Sequence, residues 1–174
     1  NAFGVSAYMG YDVTRQRLSD RLAKTSSDTE RFELRLKMGE LAFAARRFEQ
    51  ALADFQDSMD SAAKVKPARR AHGRDLLRKT HIAMGNLADE LDVMESHFAK
   101  ARDLADTPVE KAHMLVRMAK FHELVSRRGK QPDQLVQAVE LATQLIDEYP
   151  NVKLAKIQIG DQADPTGRIR KGDL

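Results

Sequence analysis

Apolar residues recur along this chain with the spacing of α-helices. One series steps by three and four residues through Phe48, Ala51, Leu52, Phe55, Met59 and Ala62, which places its members on one helical face. A later series, from Leu135 to Ile146, has the same spacing, and no convincing period-two alternation occurs before residue 150. The pattern predicts an all-α fold with seven helices, over roughly 12–25, 30–45, 48–63, 68–84, 87–105, 108–127 and 133–148.

Local signals mark where several of these helices begin and end. Ser27–Glu30 and Thr107–Glu110 are capping boxes, in which the first and fourth residues bond each other's backbone N–H groups. Pro67 and Pro132 each open a helix. Breaks between paired helices are predicted at Arg46-Arg47, at Gly85-Asn86 and around Gly129. Six helices thus pair as three hairpins whose turns are about 40 residues apart, a period typical of helical repeats.

The first hairpin carries the strongest motif. Arg35, Met38, Gly39 and Ala42 are followed by Phe48, and then by Ala51 and Phe55. Over residues 32–65 this spacing resembles a tetratricopeptide repeat, with large-x2-Leu-Gly-x2-Tyr on one helix and Ala-x3-Phe on the next. The resemblance implies that the helices touch at Gly39 and Ala51, and that Phe48 and Phe55 fill the space between hairpins. Close packing then accounts for a glycine that costs about 1 kcal/mol inside a helix.

The other two hairpins match the family less well. The second keeps Gly85 and Leu87 at its turn, but Arg78 and Glu90 stand where the packing glycine and alanine are expected. The third keeps Ala138 and the Tyr149-Pro150 ending, with Ala142 instead of the aromatic. The resemblance implies a helical-hairpin solenoid of about three repeats, and the alternative is a generic helical bundle with one chance match.

Three segments are expected along the chain. Residues 1–27 are assigned to an N-terminal extension with a capping helix, 28–150 to the repeat domain, and 151–174 to a largely flexible C-terminal tail. Within the tail, Leu154–Ile159 is a weak candidate for a short strand or docking segment.

Composition and charge exclude several kinds of site. The 29 Lys and Arg exceed the 26 Asp and Glu by only 3, too small an excess to indicate nucleic acid, and aromatics for base stacking do not interleave with the basic residues. The chain has no cysteine, which excludes disulfides, thiolate metal sites and a Cys nucleophile. Its longest run without Asp, Glu, Lys or Arg is Asn1–Tyr11, shorter than the ~20 apolar residues of a transmembrane helix. None of these features indicates a compartment or an oligomeric state.

No catalytic, cofactor or metal site is predicted. Phosphate-binding, dinucleotide-binding, GxSxG and HExxH motifs are missing, and no two histidines are three or four residues apart. We expect His81 and His122 to lie in helix interfaces with their polar atoms satisfied by neighbours. Paired carboxylates such as Asp89-Glu90 fall on polar helix faces.

A basic stripe is the most noticeable charge feature. Arg70, Arg74 and Arg78 recur every four residues, and Arg geometry suits a carboxylate or phosphate. The alternative is a solvated face paired with nearby acids.

The family resemblance also implies a function, which is binding of a protein or peptide through the concave face lined by first helices. Carried onto this sequence, the peptide-binding positions are Glu33, Leu36, Glu40, Phe43, Asp75, Lys79 and Ile82. Leu36 and Phe43 could instead pack against the capping helix. Two other roles stay open: an architectural spacer or self-association module, and an accessory bundle that binds a small molecule.

Overall fold

The computed structural model describes residues 2–129 and 131–153, with side chains from residue 10 onward. Of the predicted tail 151–174, residues 154–174 lie outside the described residues, and so does the candidate segment Leu154–Ile159 within them. The helices are α1 (Ala2–Lys24), α2 (Asp28–Ala44), α3 (Phe48–Asp60), α4 (Pro67–Leu87), α5 (Leu91–Asp103), α6 (Pro108–Gly129) and α7 (Pro132–Glu148), with a 3₁₀ turn at Ala62–Lys64.

The predicted all-α class is confirmed, since the described residues contain no strand and their helices pack in adjacent pairs. This arrangement is compatible with a helical-hairpin solenoid. The Thr107–Glu110 capping box is confirmed in both directions, since the Thr107 hydroxyl accepts from the Glu110 N–H and the Glu110 carboxylate accepts from the Thr107 N–H. At Ser27–Glu30 only the first half forms: the Ser27 hydroxyl accepts from the Glu30 N–H, whereas the Glu30 carboxylate accepts from Thr25 and Arg21 instead of the Ser27 N–H. By their contacts the described residues form two compact units, which divide between Thr80 and His81. Each unit is described by itself.

The α2/α3 hairpin is the centre of the first unit. Its turn ends α2 with a Schellman motif, in which the Arg47 N–H bonds the Ala42 carbonyl and the Arg46 N–H bonds the Phe43 carbonyl. Arg46 has a φ of 59°, in the left-handed region that glycine usually occupies at this position. The predicted break at Arg46-Arg47 is therefore confirmed, and Arg46 occupies the left-handed position.

Gly39 lies under the ring of Phe55. A β-carbon built at Gly39 would be 2.5 Å from two of the ring carbons, so any larger residue requires the ring to move. The close packing expected at Gly39 is present. The three atoms nearest to that β-carbon all belong to Phe55, so Phe55 fills space within the α2/α3 hairpin.

A buried carboxylate joins three helices of this unit. Asp54 on α3 is only 2% exposed, and its oxygens lie 2.6 Å from Arg15 on α1 and 3.2 Å from Arg35 on α2. The arginine at position 35, which departs from the usual aromatic of the repeat, thus pairs with Asp54. A buried charge needs such partners, because an unpaired one is very costly to desolvate.

The second unit has a core of aromatic and methionine side chains. Its buried members are Ile82, Met94, Phe98, Ala101, Ala105, Met114, Met118, Phe121 and Val125. Phe98 and Phe121 meet edge to face with centroids 6.2 Å apart. A β-carbon at Gly85 would be 2.6 Å from the Phe98 ring.

The assignment of Gly85 to a turn was therefore wrong. α4 continues to Leu87, and Gly85 is the close-packing glycine of the second hairpin, a role that the sequence pattern had placed at Arg78. The helix continues through Asn86 because that side chain is buried and accepts a 3.0 Å hydrogen bond from Arg117. With this alternative partner, Asn86 does not need to bond its own backbone in a turn.

Candidate functional site

Two of the predicted peptide-binding residues lie between neighbouring first helices. Glu33 on α2 accepts two hydrogen bonds from Arg69 on α4, at 2.9 and 2.6 Å. About two turns further along α2, a carboxylate oxygen of Glu40 lies 3.3 Å from the Nε2 of His72 on α4. The Arg69 hydrogen bonds hold the pKa of Glu33 below its ordinary value despite partial burial. α2 and α4 therefore lie side by side along a strip with charges of both signs.

Phe43 adds an apolar group to this strip. It follows Glu40 by three residues on α2, so the two side chains are neighbours on one face. Phe43 is half-buried, and its ring meets that of Phe48 edge to face at 5.2 Å. Part of the ring is thus accessible. We call Glu33, Glu40, Phe43, Arg69 and His72 the first-helix strip.

Leu36 and Ile82 lie elsewhere. Leu36 is fully buried and packs with Phe32 and Met59 around Gly73 of α4. Ile82 belongs to the core of the second unit. In this conformation neither side chain can touch a peptide, so the sites assigned to them need correction: both were read as surface positions because their helical register matched, and both are core.

Asp75 and Lys79 pair with each other on α4. Their side chains are 2.7 Å apart, and Arg78 donates to the same carboxylate. Burial opposes ionisation of Asp75, but the bonds from Lys79 and Arg78 outweigh it and lower its pKa. Lys79 follows His72 by seven residues, so it extends the first-helix strip along α4.

The basic stripe does not form one exposed face. Arg70 is exposed and Arg74 half-buried, whereas Arg78 is only 7% exposed beside Asp75. Other cations of the region also face acids: Lys64 lies 3.7 Å from Asp28. These pairs favour the reading of a paired, solvated surface over a landing site built from all three arginines.

An apolar groove between α6 and α7 was missed by the sequence pattern. It has a volume of about 280 Å³, and its lining residues are Val116, Ala119, Lys120, Glu123, Leu135, Ala138, Val139, Ala142 and Leu145. Of the described residues in α7, Ala138 alone is buried. Ala142 is the sequence feature that could have revealed this groove, because a small residue in place of the usual aromatic leaves the space between the helices unfilled.

His81 and His122 lie in helix interfaces, as expected. His122 on α6 lies 2.7 Å from the Gln134 side chain on α7. His81 and His97 face each other with their Nδ1 atoms 3.0 Å apart. Burial, then the charges of His97 and Lys100, lowers the pKa of His81 to about 4, and burial with Lys100 also lowers that of His97. Within residues 2–129 and 131–153, no three His, Asp or Glu side chains converge as a metal site requires.

Comparison with known proteins gives no match: no family model, no curated protein and no solved structure is significantly similar to this chain. The tetratricopeptide relationship therefore stays a hypothesis based on the residues themselves. Among the helices that the structure describes, none combines the length and the hydropathy that a bilayer span requires.

Proposed function

We propose that this chain is a non-catalytic protein-binding module whose first-helix strip holds a peptide segment of another protein. The observation that carries the proposal is the lateral pairing of α2 and α4 through Glu33–Arg69 and Glu40–His72. Where the two helices meet, they present the first-helix strip on one surface, which suits an extended or helical peptide.

The first-helix strip offers an aromatic anchor and polar side chains that can change partners. Phe43 gives a partly exposed aromatic ring, the kind of residue that dominates interface energies. The polar pairs beside it differ: Glu33–Arg69 is bidentate and partly buried, whereas Glu40–His72 lies at the surface, where such pairs contribute only about 0–1 kcal/mol. A peptide can therefore exchange the partner of Glu40 for a charge of its own at little cost. The ligand expected is an amphipathic peptide with one large apolar side chain and charges of both signs.

The test is selection of displayed random 16-residue peptides against the full chain, followed by screening against the Phe43→Ser variant. We expect a family of amphipathic peptides that bind the parent and lose binding to the variant. A matched control is Val93→Ser, which removes an exposed apolar side chain from α5. If no peptide family is enriched, or if the enriched peptides bind Phe43→Ser and the parent equally, the proposal is wrong.

A further inference from the structure

α7 carries an unusual apolar ridge. Leu135 is 51% exposed, Val139 60% and Ile146 69%. These residues are spaced by four and seven, so they lie on one face of the helix. Contiguous exposed apolar surface on a protein commonly marks an interaction site.

The ridge borders a complementary hollow. The groove between α6 and α7 contains the small side chains of Ala119, Ala138 and Ala142, while the larger Leu135 and Val139 project at its edge. The same surface thus contains an apolar groove and, beside it, apolar side chains that project from the helix. Such a surface can fit a second copy of itself about a two-fold axis, because a two-fold interface uses the same patch on both subunits.

The first hairpin shows that the corresponding surface takes a helix. In the alignment that matches Ala51 with Ala138, Met59 corresponds to Ile146. The Met59 sulfur is 3.1 Å from a β-carbon position at Gly73, so α4 lies directly against the α2/α3 hairpin there. On the α6/α7 hairpin, no described helix covers Ile146.

We infer that the α6/α7 face is covered by the α6/α7 face of a second copy of this chain, in an antiparallel two-fold dimer. Charge supports this partner. The groove holds one cation, Lys120, and one anion, Glu123, which pairs with Arg127 of its own helix at the surface, and an antiparallel two-fold axis between them adds each Lys120 to the Glu123–Arg127 pair of the other copy. A foreign partner with a single sign of charge has no such match.

The available area suits a reversible dimer. The 17 residues of α7 span about 25 Å, and two helices side by side are about 20 Å wide. The footprint is then about 500 Å² per copy and about 1,000 Å² for the pair, near the lower limit of specific interfaces. We therefore expect association in the micromolar range.

Analytical ultracentrifugation of the full chain from about 1 to 200 µM tests the inference. The mass should rise from that of the 19.6 kDa chain towards twice that value. Val139→Glu and Ile146→Glu each place a charge at an exposed position of the ridge and should raise the dimer Kd at least tenfold. Val93→Glu, at an exposed position on α5, is the matched control and should leave the Kd unchanged.

Exchanging the charges of Lys120 and Glu123 tests whether these two residues pair between copies. Lys120→Glu should weaken the dimer, and the double variant Lys120→Glu/Glu123→Lys should restore it. Circular dichroism checks that each variant folds, and if one ridge variant unfolds the other decides.

Three results would overturn the inference. One is a single 19.6 kDa species at every concentration. Another is equal weakening by Val93→Glu and Val139→Glu. The third is a monomer that dimerises only when Ile157 and Ile159 are replaced by Glu, since the chain's own Leu154–Ile159 segment would then be what covers the groove.

Discussion

The ring of Phe55 packs on the α-carbon of Gly39, leaving no room for a β-carbon between α2 and α3. The ring of Phe98 meets Gly85 in the same way between α4 and α5. Two hairpins of this chain therefore share one packing arrangement, in which a glycine on the first helix lies under an aromatic ring from the second. This arrangement explains why each helix tolerates a residue of low helix propensity.

Gly39→Ala should destabilise the protein. Alanine would ordinarily gain about 1 kcal/mol in a helix, but here it forces the fully buried Phe55 ring to move, and overpacking typically costs about 1–3 kcal/mol. We expect a net loss in the free energy of urea unfolding. The matched control is Gly10→Ala in α1, where no described atom lies within 4 Å of the new β-carbon, and this variant should be neutral or more stable. Equal behaviour of the two variants would contradict the packing.

Arg46→Gly should stabilise the α2/α3 turn. Arg46 holds a left-handed φ of 59°, which is strained for a residue with a β-carbon, so glycine should raise the free energy of unfolding by about 0.5–1 kcal/mol. Arg46→Ala removes the same side chain but keeps the β-carbon, and it should give no gain. If alanine stabilises as much as glycine in thermal unfolding, backbone strain is not the cause.

Asp54 and Asp57 give a second matched pair, because both face Arg35. Asp54 is buried and also holds Arg15, so Asp54→Ala should cost about 3 kcal/mol by leaving partly buried cations without their anion. Asp57 is half-exposed, and Asp57→Ala should cost less than about 1 kcal/mol. Denaturant unfolding measures both, and similar losses would show that burial of Asp54 contributes little.

The His81–His97 contact should make stability depend on pH. The folded protein holds the pKa of His81 at about 4, and that of His97 is also lowered from the ordinary 6.5. The unfolded chain therefore binds more protons, and the stability contributed by neutral histidines is present above about pH 6.5 and lost as the pH falls towards 4.

Urea unfolding between pH 7.5 and 4.5 should show this fall, and His81→Gln should flatten it. Lys100→Gln removes a cation that disfavours the charged histidines, so it should flatten the curve partly. A His81→Gln variant with the slope of the parent would show that another group is responsible.

The sequence predicted the local structure well because the signals are local. The hydroxyl caps at Ser27 and Thr107 and the prolines at residues 67 and 132 act on their own helices, which begin close to the predicted positions. The Gly85-Asn86 turn failed for a tertiary reason, since Phe98 and Arg117 supply partners that keep α4 helical there. A local sequence pattern does not predict contacts with residues that are distant in the chain.

The candidate site was predicted only in part for the same kind of reason. Register on a helix identifies a face but not what covers it, so Leu36 was placed on a surface although α4 buries it. The converse holds for Val139 and Ile146, whose apolar spacing predicts burial although both are exposed. Arg69 and His72 were missed as partners of Glu33 and Glu40 because their pairing depends on how α4 packs beside α2.

Calorimetric titration of the most strongly enriched peptide into the full chain tests the binding proposal most directly. We predict a micromolar Kd for the parent and for Val93→Ser, and at least a tenfold weaker Kd for Phe43→Ser and for Lys79→Glu, each checked for parental helicity by circular dichroism. Binding of equal strength by all four folded proteins would contradict the proposal, because the peptide would then not lie on the first-helix strip.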